Sequence, residues 1–203
     1  MPISDIAAEH APSYVTVRTA TAEARDQIAI GPGDVVRRIV PLALSHLQLS
    51  VALDGKPAPD DLPLVYTVYR IDAEPKEILR TVAKEPVLDL SAGRYRVEAA
   101  VSATNVRATA DFALAAGQNQ KATLKLDAGR VTLNLAGGQQ AGGDIYWEIK
   151  NADQHTVLRT SQPQPAALLA PGRYTVMTET RDQRLLSTFE IKAGESRSID
   201  ISG

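Results

Sequence analysis

The chain contains an internal repeat, and this repeat constrains its fold more than any other feature. Residues Leu79–Thr81 recur as Leu158–Thr160, 79 residues further on, and the same spacing places Gly93-Arg94-Tyr95 on Gly172-Arg173-Tyr174. Residues 112–117 match residues 189–194 at a spacing of 77, which indicates a two-residue deletion between the two blocks. Length changes of this kind are tolerated in turns. The chain is therefore predicted to consist of tandem structural units.

The N-terminal segment matches only the second half of such a unit. Gly33 pairs with Gly117 at a spacing of 84, and residues 12–17 resemble residues 171–176. We therefore expect three segments: residues 1–45 as the C-terminal half of a partial repeat, and residues 46–129 and 130–203 as complete repeats. On this interpretation the chain begins within a domain.

Each unit has the pattern of short β-strands. Apolar and polar residues alternate with period two, as in Val131, Leu133 and Leu135 against Thr132 and Asn134, which is typical of a half-buried strand. Glycine- and proline-rich turns separate these runs. The pattern predicts an all-β protein built from tandem small antiparallel β-sandwiches, with an incomplete N-terminal repeat.

Two segments show helical spacing, residues 4–10 and 75–85. In the second segment Ile78, Leu79 and Val82 could share a helix face. Its repeat copy, residues 155–163, is β-branched and runs into a proline, which disfavours a helix. The repeat therefore predicts a strand in both copies.

The connections between units are short. Residues 43–45 and 127–129 form the two linkers, and three residues span at most about 10 Å. Neighbouring sandwiches should nearly touch and form a semi-rigid array. A half-unit cannot bury a full core, so residues 1–45 should pack against the first complete unit, pair with a second copy of the chain, or be ordered by upstream strands.

Composition excludes several classes of function. With 22 Lys and Arg against 24 Asp and Glu, the net charge of −2 gives no basic surface for nucleic acid. No stretch approaches the roughly 18 apolar residues of a membrane helix, and the N-terminus lacks the pattern of a signal peptide. The absence of cysteine excludes disulfides, thiol catalysis and cysteine-ligated metals.

No catalytic, metal-binding or cofactor-binding residue is predicted. A G-x-S-x-G turn is absent, and the three histidines fall in a terminal tail, an interdomain joint and a hairpin: His10, His46 and His155. Each is interpreted as a solvated or packing residue. The chain is predicted not to be an enzyme and to need no cofactor.

Two loops suggest ligands but have simpler explanations. Asp54, Asp60 and Asp61 could offer oxygen ligands to calcium, yet the EF-hand spacing is missing and Lys56 lies between them. A polar turn is the favoured interpretation. The glycine-rich residues 137–143 lack the Lys-Ser/Thr of a phosphate loop and are predicted to form a flexible hairpin.

Surface recognition is the remaining possibility for a site. Arg80 and Arg159 recur at equivalent places, as do Arg94 and Arg173, so that a basic or aromatic stripe including Tyr146 could run along the array. The alternative is that these charges keep exposed strands soluble. Trp147 and Tyr69, 78 residues apart, are interpreted as an equivalent pair in the two cores.

The segment LLAPGRYTV at residues 168–176, followed by FEIKAG at 189–194 and SIDI at 198–201, resembles bacterial prealbumin-like β-sandwiches, including carboxypeptidase regulatory-like and PEGA-type repeats of the wider Ig-like architecture. Residues 88–97 carry the same motif in the first unit. The resemblance implies an envelope or secreted multidomain bacterial protein in which such repeats act as spacers or adhesive modules.

The expected function is therefore a non-enzymatic structural, spacer or interaction segment of a larger bacterial envelope or secreted protein. Two alternatives stay open: a glycan- or protein-binding adhesion module, and an accessory domain of an enzyme. The expected partner is a protein or another domain of the parent chain, with glycan possible, nucleic acid excluded and no membrane insertion. The expected location is periplasmic, cell-surface or secreted.

Overall fold

The computed structural model describes residues 13–19, 21–37, 39–136 and 145–202. Within these ranges every regular element is a β-strand, and the strands form a two-stranded hairpin followed by two sandwiches. The all-β class and the tandem sandwiches expected from the sequence are confirmed. Among the described residues there is no helix long and apolar enough to cross a membrane.

The first sandwich has eight strands: β3 (Ser45–Leu53), β4 (Lys56–Pro57), β5 (Leu64–Arg70), β6 (Lys76–Thr81), β7 (Val87–Leu90), β8 (Gly93–Val101), β9 (Arg107–Leu114) and β10 (Asn119–Leu126). One sheet contains β3 with β10 on one side and β4 and β7 on the other. The second sheet has the order β6-β5-β8-β9.

The strands of the second sandwich are β11 (Gly129–Leu135), β12 (Tyr146–Asn151), β13 (Thr156–Thr160), β14 (Ala166–Leu169), β15 (Gly172–Glu179), β16 (Arg184–Ile191) and β17 (Ser196–Ile201). Its sheets have the orders β14-β11-β17 and β13-β12-β15-β16. In the residues that the structure describes, these strands repeat the topology of β3 and β5 to β10 of the first sandwich. The glycine-rich residues 137–143 lie outside the described residues.

Each sandwich contains one parallel pair, although the sequence predicts antiparallel sheets. The last strand lies beside the first and runs in the same direction: β10 along β3, and β17 along β11. All other strand pairs in the two sandwiches are antiparallel. Because the first and last strands are parallel, the chain enters each sandwich at one end and leaves it at the other.

The two sandwiches have separate hydrophobic cores. The first is built from buried residues between Leu47 and Ala128, and the second from buried residues between Val131 and Ile201. The first strands begin at Ser45 and Gly129, one residue before each of the boundaries expected from the repeat. The division into residues 1–45, 46–129 and 130–203 is retained as a proposal on this basis.

Equivalent aromatic side chains anchor the two cores. Tyr66 and Trp147 are fully buried. The hydroxyl of Tyr66 donates to the Lys84 carbonyl oxygen at 2.9 Å, and the indole nitrogen of Trp147 donates to that of Gln162 at 3.0 Å. Burial, assisted by nearby Glu85, raises the pKa of Tyr66 to about 12, so the hydroxyl remains a donor.

The expected pairing of Trp147 with Tyr69 is wrong. Tyr66 lies opposite Thr81, and Trp147 lies opposite Thr160, so Tyr66 is the structural equivalent of Trp147. Tyr69 is only half-buried. The β5–β6 hairpin is two residues longer than the β12–β13 hairpin, which changes the spacing between equivalent residues.

The strand predicted near residue 78 is confirmed as β6, opposite β5. The register of this pair shifts between Val68 and Tyr69, and the equivalent pair β12–β13 shifts between Ile149 and Lys150. The irregularity thus occurs at the same place in both repeats. Residues 4–10, the other segment with helical spacing, lie outside the described residues.

The N-terminal segment forms a hairpin of β1 (Ser13–Arg18) and β2 (Glu23–Ile28), paired with each other alone among the described residues. A turn follows at residues 31–34, in which the Asp34 amide donates to the Gly31 carbonyl oxygen at 3.2 Å. Residues 35–37 and 39–44 are not assigned to any strand. A complete repeat ends in three strands, β8–β10 or β15–β17. The N-terminal segment contains equivalents of the first two of these three.

Candidate functional site: the joints between repeats

The linker between the two sandwiches is held by both of them. Ala128, at its centre, is buried. Its amide donates to the Asp54 carboxylate of the first sandwich at 2.9 Å. Its carbonyl oxygen accepts from the amide of Gly194 in the second sandwich at 2.7 Å. The short linker is therefore tied to both neighbours through its own backbone.

Gly129 follows this residue and is enclosed by the second sandwich. A Cβ atom at this position would lie 2.2 Å from Cγ1 of Ile191 and 2.7 Å from the Lys192 carbonyl oxygen. Only glycine fits such a close approach. The equivalent residue in the first sandwich, Ser45, does accommodate a side chain, whose hydroxyl donates to the Ala115 carbonyl oxygen at 2.6 Å.

Asn105 connects the two sandwiches through its side chain. It lies in the β8–β9 turn, and its Nδ2 donates to the hydroxyl of Tyr174 at 2.8 Å. Its Oδ1 accepts from the amide of Ala170 at 3.1 Å. The Tyr174 hydroxyl in turn donates to the Ala170 carbonyl oxygen at 2.6 Å. Asparagine can serve as donor and acceptor at once, and both functions are used here.

Burial keeps the Tyr174 hydroxyl protonated and shields its hydrogen bonds from solvent. Tyr174 is 2% exposed, and burial raises the pKa of its hydroxyl. Leu168 and Ala170, from the edge of the second sandwich, pack against the core of the first. The joint thus combines an apolar contact with half-buried hydrogen bonds, which are worth more when solvent is excluded.

A groove of about 650 Å³ runs beside this joint. One wall is the β8–β9 turn, from Ala103 to Arg107, and the other is the β12–β13 hairpin, from Asn151 to Arg159. Arg107 and His155 are exposed in it. The groove thus presents polar and cationic side chains together with the apolar Ala103, Val157 and Leu158.

A buried carboxylate lies behind the second wall of the groove. Glu148 is 8% exposed. It accepts hydrogen bonds from Arg159 at 2.8 Å and from the Thr156 hydroxyl at 2.9 Å. These bonds, with the charge of Lys150, hold the pKa of Glu148 below its usual range. Arg159 is thereby fixed at the groove by an ion pair within its own sandwich.

The N-terminal hairpin meets the first sandwich through a groove built in the same way. The β1–β2 turn forms one wall of a cavity of about 320 Å³ through Arg18, Thr19, Thr21 and Ala22. The β5–β6 hairpin forms the other wall, between Arg70 and Ile78. Ala22 in this turn is 6% exposed. Because β5–β6 is the equivalent of β12–β13, the walls of this cavity correspond to those of the groove between the two sandwiches. Packing against the first complete unit was one of the three expected arrangements for residues 1–45.

The structure does not bring the histidines together. His46 Nδ1 lies 2.6 Å from Asp89 Oδ1 on the neighbouring strand β7, with both side chains exposed. His155 is in the groove of the second joint. His10 lies outside the described residues. His155 thus lies in the hairpin to which the sequence assigned it, whereas His46 is the second residue of strand β3 and not part of a linker.

The three loop aspartates have separate surroundings. Asp54 binds the linker amide, Asp60 forms an ion pair with Lys84, and Asp61 is exposed. In the part of the chain that the structure describes, no group of three or more histidine, cysteine, aspartate or glutamate side chains is placed to hold a metal ion. Asp54 acts as a structural acceptor in the joint.

The recurring arginines hold equivalent backbone positions but differ in their contacts. Arg80 lies opposite Thr67, whereas Arg159 lies opposite Glu148 and binds it. Arg94 lies opposite Ala113, whereas Arg173 lies opposite Glu190. The four arginines therefore have different neighbours in the two sandwiches, and these contacts give no support to one uniform cationic stripe.

The fold and its joints define a tandem β-sandwich repeat protein. Residues 130–203 match a family model described as the Rhizobiales growth-associated tandem repeat domain. This match covers the second complete sandwich from its first strand to its last. No curated protein matches the chain.

Several solved structures are similar to this chain. The TIE protein of Bacillus anthracis is 15% identical, with a TM-score of 0.35, over 95% of this chain and 42% of that one. The minor pilin GBS52 of Streptococcus agalactiae is 11% identical, with a TM-score of 0.45, over 78% and 94% of the two chains. The shaft pilin SpaA of Lactobacillus rhamnosus GG is 10% identical, with a TM-score of 0.34, over 78% and 96%. The chain thus spans less than half the length of the TIE protein.

Replacing the enclosed glycine should destabilise the second sandwich at the joint. Gly129→Ala forces Ile191 or the Lys192 carbonyl to move, and overpacking of this kind costs about 1–3 kcal/mol. Trp147 is the single tryptophan and is fully buried in the second core, so its fluorescence during urea unfolding reports this sandwich. We expect the Gly129→Ala midpoint to fall clearly below that of the original chain.

Ser45→Ala is the matched control, because it occupies the equivalent position in the first sandwich. It removes one hydrogen bond, worth about 1 kcal/mol, and should leave the fluorescence transition of the second sandwich nearly unchanged. An unchanged midpoint for Gly129→Ala would contradict the close packing described for the joint.

Proposed function

We propose that this chain is a non-enzymatic spacer segment of a larger bacterial envelope or secreted protein. In this role, stacked sandwiches hold another domain or a protein partner at a defined distance. The observation that carries the proposal is the joint, in which Asn105 of one sandwich binds Tyr174 and Ala170 of the next. A flexible tether would need no such contacts.

The direction of the chain through each sandwich suits a spacer. Since β3 and β10 are parallel, every added repeat extends the array and does not fold it back. The nine residues of β3, at about 3.3 Å per residue, correspond to roughly 30 Å of length. Reach would therefore increase in steps as repeats are added.

The joint restricts bending because movement would break several contacts together. The Ala128 backbone would lose its bonds to Asp54 and Gly194, and Asn105 would lose both of its partners. A polar group buried without a partner costs about 1–3 kcal/mol. Neighbouring sandwiches are therefore expected to keep one relative orientation.

The family match supports the proposed setting. The matching family is described as a growth-associated tandem repeat of Rhizobiales, which is consistent with a bacterial chain in which this domain occurs in series. Together with the resemblance of the sequence motif to envelope and secreted β-sandwiches, it favours a periplasmic, cell-surface or secreted location. The proposed partner is a protein or another domain of the same parent chain.

A distance measurement across the joint tests the spacer function. The chain has no cysteine, so spin labels on Ala113→Cys in β9 and Thr188→Cys in β16, both exposed, report only the two sandwiches. We expect a single narrow distance distribution by double electron–electron resonance, because the joint fixes their orientation. Asn105→Ala should broaden the distribution.

Asn119→Ala, at an exposed asparagine on β10, is the control and should leave the distribution narrow. A broad distribution in the chain with asparagine at position 105 would contradict the spacer function. An unchanged distribution in Asn105→Ala would show that this side chain does not hold the joint.

The groove beside the joint favours binding as a second candidate function. It presents Arg107, Asn151 and His155 between two sandwiches, and polar donors in a concave site suit a glycan or a peptide. A glycan array, followed by titration of any bound glycan with amide chemical shifts, tests this. We expect chemical-shift changes that are confined to residues 103–107 and 151–159 and that are lost in Arg107→Ala. A glycan array without specific binding would contradict glycan binding.

A further inference from the structure

The same turn occurs once in each of the three repeats. It contains Gly33, Gly117 and Gly194, whose φ angles are 85°, 72° and 71°. These angles lie in the left-handed region that favours glycine. The backbone bond across the turn measures 3.2, 3.1 and 3.2 Å in chain order.

A side chain closes each of these turns in the same way. Asp34, Gln118 and Glu195 accept a hydrogen bond from the amide three residues earlier, at 2.8, 2.9 and 2.9 Å. In all three repeats the turn follows an antiparallel hairpin. The β1–β2 hairpin and the turn at residues 31–34 are therefore the structural equivalent of the first two strands and the turn in the closing half of a complete sandwich, β8–β10 or β15–β17.

In the complete sandwiches the segment after this turn is a strand at the edge of a sheet. It is β10 in the first and β17 in the second, each paired in parallel with the opening strand of its own sandwich. At the spacing of 84 residues that relates Gly33 to Gly117, the sequence at 35–42 corresponds to this strand in the N-terminal repeat. No strand of the described part of the chain pairs with residues 35–37 or 39–42.

The side chains of this segment alternate in exposure as those of a strand would. Val35 and Ile39 are 94% and 92% exposed, whereas Val36 is 45% exposed and Val40 and Leu42 are intermediate. By the spacing of the turns, Val40 and Leu42 correspond to Leu124 and Leu126, which are buried in the first core. Residues 36, 40 and 42 thus hold the positions that face a core.

The hairpin has a second open edge. Its strand β1 corresponds to β8 and β15, and each of these pairs on its other side with an antiparallel strand, β5 or β12. Among the described residues β1 pairs only with β2. Tyr14 on this strand is 47% exposed, and an edge of this kind is a template for a further strand.

We propose that β1, residues 35–37 and residues 39–42 form a docking surface for the opening half of a further sandwich of the same class, equivalent to β3–β7 or β11–β14 and supplied by polypeptide that leads into Ser13. One of its strands joins residues 35–37 and 39–42 in parallel, as β3 joins β10. Another joins β1 in antiparallel fashion, as β5 joins β8. This inference rests on the tandem array of the proposed function.

The place of the hairpin in the array identifies the occupant of this surface. The hairpin and the first sandwich line one cavity, as the first and second sandwiches do. In both complete repeats only two residues separate the opening half from the closing half, between Leu90 and Gly93 and between Leu169 and Gly172. A second copy is a poorer occupant, because its opening strands are engaged by their own closing strands.

Hydrogen exchange on an extended chain tests the proposal. A copy of residues 129–170 is joined directly to Pro12, as Ala170 precedes Pro171, and is compared with the 203-residue chain. We expect amide exchange of residues 35–42 to slow by about 100-fold or more, because the new strand protects them. A second extended chain, with a copy of residues 45–92 joined to Ser13, should give the same result.

Two substitutions in the extended chain separate docking from general folding. Val40→Asp places a charge at a core-facing position and should abolish the added protection, whereas Val35→Asp at an outward position should preserve it. Unchanged exchange of residues 35–42 in both extended chains would overturn the proposal. Protection of these residues in the 203-residue chain that rises with concentration, together with a dimer by sedimentation, would overturn it in favour of a second copy.

The result is independent of the spacer test. Exchange at residues 35–42 concerns the N-terminal repeat, whereas the spin-label distance concerns the joint between the two complete sandwiches. A narrow distance distribution with unchanged exchange would reject the docking surface alone. A broad distribution with slowed exchange would reject the rigid spacer alone.

Discussion

The parallel pairing of the first and last strands in each sandwich is the constraint on which the remaining structure depends. Because β3 and β10 run side by side in one direction, and β11 and β17 do the same, the chain leaves every repeat at the end opposite to its entry. The next sandwich must therefore stack on that end. An antiparallel arrangement of the same strands would return the chain to its starting end, and neither the joints nor the grooves beside them would form.

The joint is stabilised by polar groups that are used in pairs. The Ala128 amide donates to Asp54, and the Ala128 carbonyl oxygen accepts from Gly194. Asn105 donates to the Tyr174 hydroxyl and accepts from the Ala170 amide. Directional bonds of this kind specify an orientation, which apolar packing alone specifies less well. The packing of Leu168 against the first core supplies the apolar part.

The repeat and the period-two pattern are sufficient to predict the fold class and the strand β6, because these features are local or recur in the sequence. The partners in the joint could not be predicted, because Asp54 and Ala128 are 74 residues apart and Asn105 and Tyr174 are 69 residues apart. A lone asparagine in a turn has no pattern that indicates such a contact. Tyr69 is wrongly matched to Trp147 at a spacing of 78 residues, because the shorter second hairpin gives the equivalent residues Tyr66 and Trp147 a spacing of 81. The parallel strand pair could not be predicted, because the alternation of apolar and polar residues shows which face of a strand is buried and does not show in which direction its neighbour runs.

The most direct test of the account is the relative orientation of the two sandwiches in solution. Residual dipolar couplings of backbone amides, measured in one weakly aligned sample, give an alignment tensor for residues 45–126 and another for residues 129–201. If the joint is semi-rigid, the two tensors should agree in magnitude, and their axes should coincide when the sandwiches are placed as the structure has them. Tensors of clearly different magnitude would show that the sandwiches reorient independently and would contradict the central claim.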